Sequence, residues 1–266
     1  MATRNNVFLF HKNNSEMLDI VSPFYNHAED YGFNIVKDYN KANIIISFGG
    51  DGAFLQAVRK TGFREDCLYA GISIKKKLNI YCDFYIDETK KIIEAMTNEQ
   101  IEVRRYPTVD ITIDNELSFQ CLNEFSIRSN IIKSIVLELY IDDLHFETFR
   151  GDGIIVATPT GSTAYNKSVN GAIVDPMLPS IQISEIASLN NNQYRTLGSP
   201  FILSGERDLT IKVVQEGNIY PTMGMDNEAL SIQHVEDIKV KLSNKVIKTV
   251  KLKDNSFWEK VKRSFL

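Results

Sequence analysis

A chain of 266 residues with 43% hydrophobic and 24% charged side chains is long enough for two modest cores and too apolar to be disordered. Its formal net charge of −4 excludes a dedicated nucleic-acid binder, and no stretch approaches the ~18–20 apolar residues of a membrane span. Cys67, Cys82 and Cys121 show no C-x-x-C spacing, the four histidines are scattered, and the apolar run near the start is too short for a secretory core. Neither a disulfide framework nor a zinc site is expected, and the chain reads as cytoplasmic, with no nucleic acid and no membrane among its partners.

The first hundred residues alternate strand and helix. Residues 7–10 form a short apolar strand, and Met17, Ile20, Val21, Phe24, Ala28 and Tyr31 then recur at helical spacing, with a kink expected at Pro23 and a stop at Gly32. Residues 44–48 form a continuous apolar strand of the kind buried on both faces. Phe54, Leu55 and Val58 give the next helix its inward face, 68–72 is another strand, and Asp87 is positioned to cap a helix carrying Ile92, Ile93 and Met96. Such repetition predicts a parallel sheet with helices on both sides.

After residue 101 the pattern changes to short strands. Val103, Val109, Ile111 and Ile113 alternate, while Asp114-Asn115 and Asp142-Asp143 read as hairpin turns. Strands are expected at 135–141, 153–158, 209–214, 230–233 and 238–242, and helix only at 162–168 and about 181–188. A sandwich or a many-stranded twisted sheet accounts for this region. The tail returns to helix, with Phe257, Trp258, Val261 and Phe265 on one face; packing against the first domain is one way to cover that stripe.

Chemistry concentrates in three places. The strand at 44–48 ends in Gly49-Gly50-Asp51-Gly52, and a helical pattern follows. Neither G-x-x-x-x-G-K-[ST] nor G-x-G-x-x-G is present, so this is neither a P-loop nor the usual dinucleotide fingerprint. Glycines at a strand-to-helix turn still let backbone N–H groups approach a phosphate, and a carboxylate in their midst suits a base or a magnesium partner. The plain alternative is a tight turn with Asp51 as helix cap.

The second place runs from Phe149 to Ser168. Arg150-Gly151-Asp152-Gly153 precedes a strand, and Thr158-Pro159-Thr160-Gly161-Ser162-Thr163-Ala164-Tyr165 follows it, offering hydroxyls, helix-start N–H groups and an aromatic face able to stack on a purine. An elaborate helix cap is the alternative. Third, Asn123-Glu124 pairs an amide able to read an adenine edge with a carboxylate able to accept from a ribose diol; by itself this is an ordinary polar pair at a strand end.

Taken in chain order, with Asn123-Glu124 falling between the glycine tetrad and the Arg150–Tyr165 segment, the three elements closely resemble the NAD kinases, from about residue 44 to the end, with residues 191–200 and the Trp258 tail also fitting. The tetrad alone is shared with lipid kinases and phosphofructokinases. The resemblance implies an α/β plus β-rich fold. A Rossmann-like domain, residues 1–101, carries the Gly-Gly-Asp-Gly loop and is joined by a C-terminal helix, 247–266. A β-sandwich-like NAD-binding domain, 102–246, lies between, and NAD binds between the domains of a dimeric or tetrameric homo-oligomer.

The activity it implies is transfer of phosphate to the adenosine 2′-hydroxyl of NAD, from ATP or polyphosphate with Mg²⁺, with no protein metal ligands assigned. Asp51 is then the catalytic base, with Gly52 beside it. Asn123 and Glu124 hold the adenosine, Thr160, Thr163, Ala164 and Tyr165 frame the adenine, and Asp152, Ser168 and Ala187 lie toward the nicotinamide riboside. Asn166, Lys167, Arg150 and Asn227 complete the substrate set, and Gly49, Gly50, Lys75 and Lys76 face the donor phosphates.

Two departures from the family pattern stand out. Ala53 replaces a usual Thr, and a loop that commonly carries glycines here contains Lys75-Lys76-Lys77-Leu78-Asn79-Ile80. Either these lysines neutralise donor phosphates, or the protein has drifted toward a catalytically weak NAD(P)-binding role. A lipid kinase is the other alternative; it explains the tetrad but neither the Asn-Glu pair nor the hydroxyl-rich segment.

Overall fold

The computed structural model describes residues 5–28, 30, 32–75, 79–88, 101–130, 132–192, 194–214, 220–253 and 255–266. The chain forms two compact units, Met1–Tyr106 with Ile247–Leu266, and Pro107–Val246.

The first unit is built on parallel strands. β1 (Asn6–Phe10) pairs with β2 (Asn34–Ile35) and β3 (Ile44–Gly49), and β3 pairs in turn with β4 (Leu68–Ser73). The other edge of β4 takes β5 (Cys82–Tyr85) and Thr249 of the last strand. Helices α1 (Ser15–His27) and α2 (Asp51–Lys60) supply the crossovers. Val7, Leu9, Met17, Val21, Ile44, Phe48, Ile72 and Phe84 make one apolar core.

α1 runs through Pro23. That proline has no N–H for the Asp19 carbonyl, and the Ser22 hydroxyl donates to it instead at 2.9 Å. Asp87 sits in a single 3₁₀ turn, Ile86–Glu88, while Ile92, Ile93 and Met96 lie outside the described residues.

The second unit is a sandwich of two sheets. One contains β6 (Ile101–Ile113), β7 (Leu117–Cys121), β9 (Ile135–Ile141), β10 (Leu144–Gly151), β14 (Leu209–Val213) and β17 (Asp237–Leu252), of which β6 and β17 run on into the first unit. The other has the order β13 (Phe201–Ser204), β12 (Ser180–Ile186), β11 (Gly153–Ala157), β8 (Glu124–Arg128), β15 (Thr222–Met225) and β16 (Glu228–Ser231), antiparallel throughout. Inward residues of both sheets share one core, including Ile111, Leu137, Phe149 and Ile211 from the first and Phe125, Ile127, Val156 and Ile183 from the second. Turns with positive φ at Asp114, Asn115 and Asp142 close the two expected hairpins.

Two sequence expectations need correction. Residues 181–188 are not helical, because Ser180–Ile186 is strand β12, buried between β11 and β13. The C-terminal helix α4 covers only Phe257–Phe265 of the expected 247–266, because β17 runs on to Leu252; on it Phe257 is buried, but Trp258 and Phe265 are exposed at 49% and 40%. The residue that takes their place inside is Lys260, at 1% exposure.

Candidate active site

β3 hands over to α2 through Gly49, whose φ of +149° belongs to glycine; a Cβ there would stand 2.6 Å from that of Ala53. Gly50 is the extended residue before the helix, and no side chain caps the first turn. Asp51 is therefore not a helix cap. Its half-buried carboxylate reaches across to residues 80 and 81, accepting the N–H of Ile80 on Oδ2 at 3.1 Å and that of Tyr81 on Oδ1 at 2.9 Å.

Burial pushes the Asp51 carboxyl above the ordinary aspartate range, against the two N–H bonds and the charges of Lys260 and Arg263. A raised value makes it a better proton acceptor once it is ionised. The wall behind it is aromatic: Tyr81 stacks on Phe54 at 4.7 Å and meets Tyr106 edge-on at 5.7 Å.

Gly52 opens onto free space: a methyl group on its Cα would have no neighbouring atom within 4 Å. Lys75 is exposed, its backbone tied to Ser73 Oγ; Lys76 lies outside the described residues. Among the described residues no group of three or more His, Cys, Asp or Glu side chains could hold a metal ion.

In the second unit Glu124 begins strand β8, Asn123 immediately precedes it, and both are buried. The sequence reading missed what holds them. Asp226, in the turn between β15 and β16 with φ +54°, accepts the N–H groups of Leu122, Asn123 and Glu124 at 3.0, 2.7 and 3.3 Å, and its own N–H donates to the Glu124 carbonyl at 3.0 Å. A short Asp-Asn turn flanked by strands was the only local signal. Asn227, the next residue, is exposed.

Thr158 and Gly161 bring the hydroxyl-rich turn onto this same backbone. Thr158 donates its N–H to the Asn123 carbonyl at 2.8 Å and its hydroxyl to the Leu122 carbonyl at 2.7 Å. At Gly161 a Cβ would lie 1.9 Å from the Asn123 carbonyl oxygen, so only glycine permits the approach. Residues Thr160–Thr163 form a 3₁₀ turn leading into α3 (Tyr165–Ser168).

Two buried polar atoms here have no hydrogen-bond partner: Glu124 Oε2 and Thr160 Oγ1. Burial, with the Asp226 charge nearby, drives the Glu124 carboxyl up to about 8, and the Tyr165 N–H offsets this only in part. Buried polar groups left without partners are uncommon, and each calls for an explanation.

The remaining residues sit as follows. Thr163 and Ala164 are half-buried, with the Thr163 hydroxyl donating to the Thr160 carbonyl at 3.0 Å. Tyr165 is half-buried with the Arg128 guanidinium 6.0 Å from its ring. Lys167, Ser168 and Ala187 are exposed, and Ala187 holds a φ of +48°. Asn166 points inward, its amide between Ser162, Ala172 and Ser184. Arg150 donates to Ser134 and Tyr194 and lies over the Tyr194 ring at 4.8 Å. Exposed Asp152 lines an open cavity of about 390 Å³ with Arg128, Lys133 and Ser134.

Comparison with known proteins gives this arrangement a family. Residues 122–252 match the profile of the ATP-NAD kinase C-terminal domain. NAD kinase 2 of Bacillus subtilis is 63% identical over 263 residues, covering 99% of this chain and 98% of the relative. Among solved structures, a yeast NADH kinase complexed with NADH superposes with a TM-score of 0.79 at 19% identity, covering 97% of this chain and 86% of the other. An NAD kinase from Archaeoglobus fulgidus in complex with ATP gives 0.73 at 20% identity, covering 97% and 99%. The 63% identity to the Bacillus subtilis relative along almost the whole length settles the assignment: the chain belongs to the NAD kinase family.

Proposed function

We propose that the protein transfers the terminal phosphoryl group of ATP to the 2′-hydroxyl of the adenosine ribose of NAD, with Asp51 as the base. The observation that carries this reading is the Asp51 carboxylate, held by two backbone N–H groups at a glycine-rich strand-to-helix turn and made more basic by burial. In the reaction O2′ forms a bond to the γ-phosphorus, the bond from phosphorus to the β,γ-bridging oxygen breaks, and the 2′-hydroxyl proton passes to Asp51. ADP and NADP are the products.

A ribose hydroxyl is a poor nucleophile, so positioning and neutralisation of phosphate charge contribute most of the acceleration. Proton removal adds a further ~10²–10⁴-fold. The open face at Gly52 leaves room for donor phosphates near the start of α2. Mg²⁺ is proposed as an ion carried by those phosphates, where it would neutralise their charge; the described residues provide no protein cluster for it.

On the acceptor side, the unpartnered Glu124 Oε2 and Thr160 Oγ1 support Asn123, Glu124 and Thr160 as the groups that bond the adenosine, with Thr163, Ala164 and Tyr165 around the base. Asp152, Ser168 and Ala187 are assigned to the nicotinamide riboside side. Asn166 enters this proposal as a support for the turn, since its amide is already engaged. Arg150 likewise acts through Tyr194 and Ser134.

Cys67, Cys82 and Cys121 are buried thiols, and no described helix is long and apolar enough to cross a membrane. A cytoplasmic homo-oligomer is the state we propose, open to test by sedimentation. For the activity itself, purified protein is incubated with NAD and ATP, then with NAD and polyphosphate, and NADP is read by enzymatic cycling. Turnover with ATP is expected. Thermal stabilisation by NAD without any turnover would favour the catalytically weak binding protein instead.

A further inference from the structure

We propose that Lys260, on the C-terminal helix, is a positioning residue for the phosphoryl transfer, acting on Asp51 through the single peptide group that joins Ile80 to Tyr81. This deepens the reading of Asp51 as the base and rests on it.

The Nζ of Lys260 donates to the Ile80 carbonyl at 2.8 Å. The N–H at the other end of that same planar peptide, on Tyr81, donates to Asp51 Oδ1 at 2.9 Å. A cation on the carbonyl oxygen polarises the peptide and strengthens its N–H as a donor. One rigid unit thus connects the ammonium to the carboxylate, fixing its direction as well as its charge environment.

The rest of α4 acts on the same segment. Arg263 donates to the carbonyls of Asn79 and Cys82 at 3.0 and 3.4 Å, so residues 79, 80 and 82 all hand their carbonyls to this helix. Lys260 is itself paired with Asp83 at 2.7 Å, both side chains at 2% exposure or less. Asn255 donates to Asp83 and accepts from Arg263, and Arg104 donates to the Asn255 carbonyl and to the Tyr106 hydroxyl.

A merely structural reading is a buried ion pair that docks the helix. Such pairs seldom add stability over well-packed apolar residues, so stability is a weak reason to place a lysine there. Its burial pulls Lys260 below the ordinary lysine range, with Arg104 and Arg263 adding to this and Asp83 opposing it. Arg263 also acts on Asp51, and two further ionisable neighbours, Cys82 and Tyr106, are pushed well up by burial and so are neutral near pH 7.

The test compares the unmodified protein with Lys260→Met, Lys260→Arg and the double variant Asp83→Asn/Lys260→Met, which leaves no charge stranded. Each is assayed with NAD and ATP across pH, with folding checked by circular dichroism and by NAD-induced thermal shift. We expect the methionine variants to lose about tenfold or more in kcat, with KM for NAD within about twofold. In Lys260→Met the acidic limb of kcat should move to higher pH, because a cation has left the carboxylate.

Lys260→Arg, which keeps the charge at every working pH, should preserve most of kcat and abolish the alkaline limb that appears as Lys260 loses its proton. A folded double variant with kcat within about threefold of the unmodified protein would overturn the proposal. So would an arginine variant that keeps the original alkaline limb, and this second arm stands even where the methionine variants do not fold. Asp51→Asn run in parallel separates the readings. Full activity there removes the base and this proposal together, whereas an inactive Asp51→Asn beside an unchanged double variant removes only the role of Lys260.

Discussion

The carboxylate of Asp226 accepts the backbone N–H of Asn123 at 2.7 Å, from a position 103 residues further along the chain. That bond and its two companions fix the start of β8, where the side chains assigned to the adenosine emerge. Hydrogen bonds to a charged acceptor contribute roughly 1.5–3 kcal/mol each, and losing their partner leaves buried N–H groups unsatisfied. Asp226→Ala should therefore lower the unfolding free energy by about 2–4 kcal/mol in urea titration. The KM for NAD should rise at least about tenfold, with a smaller change in KM for ATP. An unaltered NAD dependence in a correctly folded variant would show that the 122–124 backbone does not govern acceptor binding.

Glu124 supplies a pH prediction. Its folded-state value, raised from an ordinary 4.5 to about 8, means that the native protein holds a proton which the unfolded chain has released. The stability this contributes is complete below about pH 4.5 and lost as pH rises to about 8. Asp51 and Glu147, also raised by burial, act in the same direction, so the comparison must be between variants. Glu124→Gln should stabilise the ligand-free protein by ~2–4 kcal/mol on the alkaline side of the window and leave it nearly unchanged on the acid side. NAD affinity should fall in the same variant. Equal denaturation midpoints for the two proteins above pH 8 would contradict the titration assigned here.

Asp51→Asn keeps the side-chain shape but replaces one acceptor oxygen with an amide that faces a backbone N–H of residue 80 or 81. The cost in stability is expected to be about 1–3 kcal/mol, not enough to unfold the domain. Binding of NAD, followed by thermal shift, should persist. NADP formation should fall by ~10²–10⁴-fold, and activity within tenfold of the unmodified protein would remove Asp51 from the mechanism.

Much of this was legible in the residues themselves, for reasons that differ from site to site. Gly49-Gly50-Asp51-Gly52 declares itself because an apolar strand, a phosphate-permitting turn and a helical pattern follow one another without interruption. Thr158 to Tyr165 does so through a density of hydroxyls and special backbone residues that filler would not carry. Lys260 and Asp226 were hidden by distance. A lysine on a short amphipathic helix reads as a solvated side chain until the fold brings residue 80 to it across 180 positions. Ser180–Ile186 misled in another way: its isoleucines at 181 and 183 have the period of a strand, and neighbours β11 and β13 decide the matter.

Two glycines separate packing from chemistry. At Gly161 a methyl group would lie 1.9 Å from the Asn123 carbonyl oxygen, closer than any real contact, so the turn and β8 must move apart. Gly161→Ala should destabilise the protein by about 2–4 kcal/mol and weaken NAD binding together, because the same displacement serves both. At Gly52 a methyl would meet nothing within 4 Å, and the residue lies in the first turn of α2 with no positive φ. Gly52→Ala should leave the melting temperature unchanged or slightly higher, since alanine is the better helix former by up to about 1 kcal/mol. Its effect should appear in turnover: a methyl on the open side of the turn keeps donor phosphates from the α2 backbone, so the KM for ATP rises while NAD still stabilises the protein. Full activity with ATP in Gly52→Ala would place the donor phosphates away from this turn, whereas lost activity accompanied by lost stability would mean that the open face is needed for folding.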